Sequence, residues 1–149
     1  MAASQDFDGS TEYIAKGTTG PQDVVSFPCA FACWFNCSDV TGGSKYVMDI
    51  YKSGNYLGMR INSSNITMIS SENSTTARIE VCGTISNDTW YHCVINWVSS
   101  TERTLYLDGA QYGSTNTESS DPITYGFDRA EVGGIGTSSV FFPGPTAMI

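Results

Sequence analysis

Positive charge is scarce in this chain of 149 residues: seven Lys and Arg stand against fifteen Asp and Glu, a net charge of −8 with a single histidine. Such a balance repels a phosphate backbone and argues against nucleic acid as a partner. It disfavours anionic membrane surfaces for the same reason. Charged residues of both signs make up only 15% of the chain, against about 25% in an average domain. With 40% hydrophobic and 12% aromatic residues, the shortage of charge reads as a folded domain and not a disordered tail. No apolar run approaches the roughly 18 residues of a membrane-spanning helix, so no membrane insertion is expected. The start, MAASQDFDG, has neither a basic segment nor an apolar one behind it, so no signal peptide is expected. No window shows helical periodicity, and no C-x2-C pair appears. The length suits one domain over residues 1–149.

The five cysteines, Cys29, Cys33, Cys37, Cys82 and Cys93, are odd in number and cannot all pair within one chain. Steps of four put Cys29, Cys33 and Cys37 on one face of a strand. Neighbours there are about 13 Å apart, too far to share one metal ion. They read as small apolar residues, and free thiols point to synthesis in a reducing cytoplasm.

Alternation dominates what is present. Cys29, Phe31, Cys33 and Phe35 share one face of an extended segment, and Ala30, Ala32 and Trp34 the other. Both faces are apolar, which predicts a strand covered on both sides; of the two readings of Trp34, a sugar-stacking platform or a core residue under a loop, core is favoured. Tyr46 to Tyr51, Leu57 to Ile61, Ile66 with Met68, Ile79 with Val81, and Leu105 with Leu107 continue the pattern. Cys93, Ile95 and Trp97 face one way on a long strand opened by Trp90. Trp90 and His92 share its other face, His92 being read as a satisfied structural histidine. Asp108-Gly109 between two such runs is the strongest hairpin signal. Short strands between polar turns predict an all-β sandwich or barrel.

Four blocks in order carry a resemblance: DFDGSTEYI (6–14), FPCAFACWFN (27–36), WYHCVINW (90–97) leading to RTLYLDG (103–109), and EVGGIG (131–136) with FFPG (141–144). Together they resemble the concanavalin-A-like lectin/glucanase superfamily, on its laminin-G-like and pentraxin-like side. The resemblance implies a jelly-roll sandwich of two curved antiparallel sheets. It also implies a lectin-like module.

Glucanases of this superfamily need a short run of acids on one strand. Here Asp49 and Glu80 stand alone among apolar neighbours, and Asp6, Asp8 and Glu12 straddle a turn. No catalytic residue is assigned, and the chain is read as not an enzyme. Calcium needs six to eight oxygens. The stretch after Ile135 lacks the carboxylates that pentraxin-like relatives place there, so no metal residue and no cofactor are assigned. A laminin-G-like rim site for calcium stays open. For a sugar, aromatic faces and fixed polar groups near turns are the requirement, which makes Tyr51, Asn55, Tyr56, Tyr91 and Tyr112 the candidate ligand-binding residues. Five N-x-S/T sites, at Asn36, Asn62, Asn65, Asn73 and Asn87, are read as chance in a chain without a leader.

The closing stretch, FFPGPTAMI, looks like a last strand cut short. It would leave an open C-terminal edge through which copies of the chain could pair. The leading expectation is a carbohydrate-binding module on a virion or extracellular surface, its partner a glycan. The alternative is a bacteriophage decoration or assembly protein that reuses the fold and contacts neighbouring virion subunits.

Overall fold

A computed structural model describes residues 5–16, 26–52, 54–72, 76–117, 119, 127, 129–134 and 141–148. Twelve strands and no helix are found among them. They run β1 (Gln5–Asp8), β2 (Ile14–Lys16), β3 (Cys29–Asn36), β4 (Lys45–Lys52), β5 (Asn55–Asn62), β6 (Asn65–Glu72), β7 (Thr76–Thr84), β8 (Trp90–Ser99), β9 (Glu102–Leu107), β10 (Ala110–Asn116), β11 (Arg129–Val132) and β12 (Pro143–Met148). Two six-stranded antiparallel sheets result. Sheet A has the order β1-β12-β3-β8-β9-β10 and sheet B the order β2-β11-β4-β5-β6-β7. The all-β jelly-roll sandwich expected from the sequence is the fold observed.

The period of two decides what lies between the sheets. Cys33, Phe35, Cys93, Ile95, Trp97 and Leu105 of sheet A meet Leu57, Met59, Ile61, Ile66 and Met68 of sheet B in one buried core. Cys33 and Cys93 are cross-strand partners, and the Cys33 thiol reaches the Met59 sulfur at 3.4 Å. Burial alone pushes that thiol up to about 12, so it behaves as an apolar side chain. Cys37, just past β3, is buried, its thiol 3.1 Å from the Asp39 carbonyl. The side chain of Cys82 lies outside the described residues. Arg103 is buried between the sheets and donates across the core to the Ser70 hydroxyl at 2.9 Å.

Turn chemistry fixes register. Asp108 and Gly109 both take positive φ, 50° and 83°, the backbone that a two-residue hairpin needs. Asp8 closes the turn after β1 by accepting from the backbone amides of Ser10, Thr11 and Glu12 at 2.8, 2.8 and 3.1 Å. The Thr11 hydroxyl and these amides hold its carboxyl far below the usual range. No group of three or more His, Cys, Asp and Glu side chains that could hold a metal occurs among the described residues.

Two expectations need correction. The closing stretch forms a strand that is not an open edge. β12 lies inside sheet A, paired with β1 on one side and β3 on the other. Its prolines hid it, because proline cannot donate to a ladder. The Pro143 carbonyl accepts from Ser38 N at 3.1 Å, which turns this residue, and by alternation Pro145, toward the β3 side. The β3 ladder begins only at Thr146, so no ladder donor is missed. Gly144 sits between them at φ 128°, where an added Cβ would lie 2.1 Å from the Asn36 carbonyl oxygen. The second correction concerns β3. It is covered on one face only, for Ala30 and Trp34 are exposed on the outer side of sheet A.

Candidate functional site

The outer face of sheet A is built from residues that alternate with the core set. On β3 these are Ala30, Ala32, Trp34 and Asn36; on β8 they are Trp90, His92, Val94, Asn96 and Val98. Neither strand carries a charged side chain. Trp34 is 41% and Trp90 44% exposed. Trp34 stands opposite His92 and Asn36 opposite Trp90, so the two indoles are diagonal neighbours on one face.

The platform is held from below and from the side. The Trp34 and His92 rings lie 4.9 Å apart, tilted at 31°. His92 N donates to the Asp108 carboxylate at 2.8 Å, and Asp108 N donates back to the His92 carbonyl at 2.8 Å. His92 is not the satisfied histidine expected, because its Nε2 is buried without a hydrogen-bond partner. Four residues along the same seam, about 13 Å away, a shallow hollow of ≈ 270 Å³ is lined by Pro28, Cys29, Ala30, Asn96, Trp97 and Val98. The seam thus offers ring faces at one end, a depression at the other, and side-chain amides at both.

The residues named from sequence do not form one site. Tyr51 and Tyr56 are cross-strand partners on the outer face of sheet B, each half-buried. Asn55 is buried in the β4–β5 turn, its amide donating to the Lys52 carbonyl at 3.2 Å. Tyr91 faces the other way, stacked on Phe35 at 5.8 Å, its hydroxyl accepting from Ser86 N at 3.0 Å. Tyr112 packs over Gly83 where the edges of the two sheets meet. Trp34, favoured as core by its apolar neighbours, stands exposed on the outer face of sheet A instead.

The outer face of sheet B is different in kind. The Arg129 guanidinium lies 5.5 Å over the Tyr51 ring and 3.4 Å from the Glu131 carboxylate. Glu131 stands directly opposite Asp49, so strand pairing creates the pair of acids on one face that the sequence lacks as a run. Both residues are only 1% exposed, as are Thr67 and Ile69 beside them. Neither oxygen of Asp49 has a hydrogen-bond partner. Burial first, and the charge of Glu131 second, raise its carboxyl well above the usual range, with Arg129 pulling partly back. A glycosidic oxygen has no open path to acids sealed in this way, so the pair does not supply the geometry of a hydrolase.

Comparison with known proteins agrees with this architecture. A family model described as the concanavalin A-like lectin/glucanases superfamily matches residues 8–146. None of the curated proteins compared with the chain matches it. Among solved structures, domains LG4-5 of the mouse laminin alpha1 chain share the fold with a TM-score of 0.70 at 16% identity, over 98% of this chain and 40% of that one. This chain therefore spans less than half the length of that laminin fragment. The CBM40 of the Ruminococcus gnavus IT-sialidase, bound to alpha2,3 sialyllactose, gives 0.74 at 10% identity, over 97% and 88% of the two chains. Domain 4 of AbnA, a GH43 extracellular arabinanase from Geobacillus stearothermophilus in complex with arabinotriose, gives 0.73 at 14%, over 95% and 66%. At such identities the likeness is one of fold. With the family model spanning nearly the whole chain and the two sheets in place, the chain belongs to the concanavalin A-like lectin/glucanases superfamily.

Proposed function

We propose that the protein is a non-catalytic carbohydrate-binding module that takes a glycan along the β3–β8 seam of sheet A. One observation carries the reading: Trp34 and Trp90, both exposed, share an uncharged face with side-chain amides beside them. Indole faces match the C–H side of a pyranose, and Asn36 and Asn96 can serve its hydroxyls. The neighbours whose structures hold sialyllactose and arabinotriose support a sugar ligand for this fold. Such a module works where glycans are displayed, on a virion or extracellular surface.

The test is a glycan and polysaccharide screen on the purified protein, repeated with chelator, with tryptophan fluorescence as a second readout. Saturable binding that shifts indole emission, and survives chelator, is expected. A folded protein that binds no glycan would sink the reading. The exposed seam would then be left for a protein neighbour, as in a decoration or assembly subunit.

A further inference from the structure

The cations of this chain are distributed very unevenly. Six of its seven Lys and Arg residues, at 16, 45, 52, 60, 78 and 129, lie on strands of sheet B. The seventh, Arg103 on β9, is buried and donates inward to Ser70. The outer face of sheet A and its adjoining turn therefore carry no Lys or Arg among the described residues. They do carry acids. Asp6 and Asp8 are exposed on β1, Glu102 is exposed at the start of β9, and Asp108 is exposed in the β9–β10 turn. Asp6 and Asp108 bracket the indoles, and Glu102, opposite Ser99 in the ladder, borders the far end of the seam. Asp6 opposes Pro145 in the ladder, and continuing that row across sheet A leads through Asn36 to Trp90. The separation is three strand spacings, about 14 Å. Asp108 lies beside His92, about two spacings, or 10 Å, from Trp34.

An uncharged aromatic surface with an acidic border and no base is complementary to a cation. The ring quadrupole attracts an ammonium group directly, and at low salt, where the screening length reaches about 30 Å at 0.01 M, the border adds its field over this distance. The same arrangement repels carboxylates. We infer that the β3–β8 seam selects glycans carrying free amino groups, binds their acetylated counterparts less well, and rejects acidic sugars. This inference rests on the glycan-binding reading above.

The experiment compares three probes on the intact protein. They are oligomers of glucosamine at a pH where the amine is protonated, the same oligomers N-acetylated, and oligomers of galacturonic acid. Glucosamine oligomers should bind about three- to tenfold tighter than the acetylated ones at low salt. That ratio should fall toward one in about 1 M salt, where the screening length is near 3 Å. Galacturonate should not bind. The pair Asp6→Asn with Glu102→Gln, both exposed and remote from the core, should narrow the ratio and leave acetylated binding unchanged. Equal or tighter binding of the acetylated probe overturns the inference while the module reading stands, as does binding of galacturonate. Failure of all three probes, with the fold intact by circular dichroism, overturns the inference, and the wider glycan screen then decides the module reading.

Discussion

The two sheets obey one rule on their inner faces and opposite rules on their outer ones. Inside, both alternate apolar residues into a common core. Outside, sheet A shows two indoles and an imidazole with no charge on its two middle strands, and it is open. Sheet B shows tyrosines and arginines above carboxyls that are closed off from solvent. The inner faces determine the fold, and they leave the outer faces free to differ. In this superfamily a match to the fold therefore says little about which outer face is used.

Substitutions can break the comparison at several strengths. The largest effect separates two tryptophans of one strand. Trp97→Ala should cost about 3–5 kcal/mol in urea unfolding, and Trp90→Ala no more than about 0.5 kcal/mol. Next, Gly144→Ala should lose about 3 kcal/mol, because the methyl meets the Asn36 carbonyl oxygen in a left-handed backbone. Thermal unfolding of the soluble fraction reads it.

Asp49→Asn tests the sealed acids of sheet B. An unfolded Asp ionises near 3.9, while burial keeps the folded carboxyl protonated to much higher pH. Between these values the unfolded state binds fewer protons, so the native protein loses stability as pH rises through that window. The asparagine variant should therefore be more stable than the parent near pH 8 and almost unchanged below pH 4. An equal gain at both pH values would show that charge is not the cause. Trp34→Ala should weaken glycan binding about tenfold, near 1.4 kcal/mol, by calorimetry. The smallest effect is expected from Tyr51→Ala on the opposite face, which should change that affinity less than about twofold. A larger loss there than at Trp34 would move the site to sheet B.

The elements legible in the sequence are those with local signals. Asp108-Gly109 announced its hairpin because the pair takes positive φ readily, and Cys93, Ile95 and Trp97 announced the inner face of β8 by alternation. The hairpin between β5 and β6 was less visible, since Ser63 and Ser64 reach φ 50° and 64° without glycine or asparagine. β12 was hidden by prolines whose nitrogens miss no ladder bond. The opposition of Asp49 and Glu131 was invisible because strand neighbours so distant in sequence leave no periodic trace. The exposure of Trp34 is not legible for a simpler reason. An apolar outer face looks the same in sequence whether protein or ligand covers it.

The place of β12 has a consequence for synthesis. It separates β1 from β3, yet more than one hundred residues lie between the end of β3 and Pro143. At about 5–20 residues per second, roughly 5 to 20 s pass on the ribosome before the last wedge of sheet A exists. Throughout that interval β1 has no partner strand and β3 is an apolar edge, the kind of template that captures other chains. Yield in a heterologous host should therefore depend on how well nascent chains are kept apart, more than on the stability of the finished sandwich.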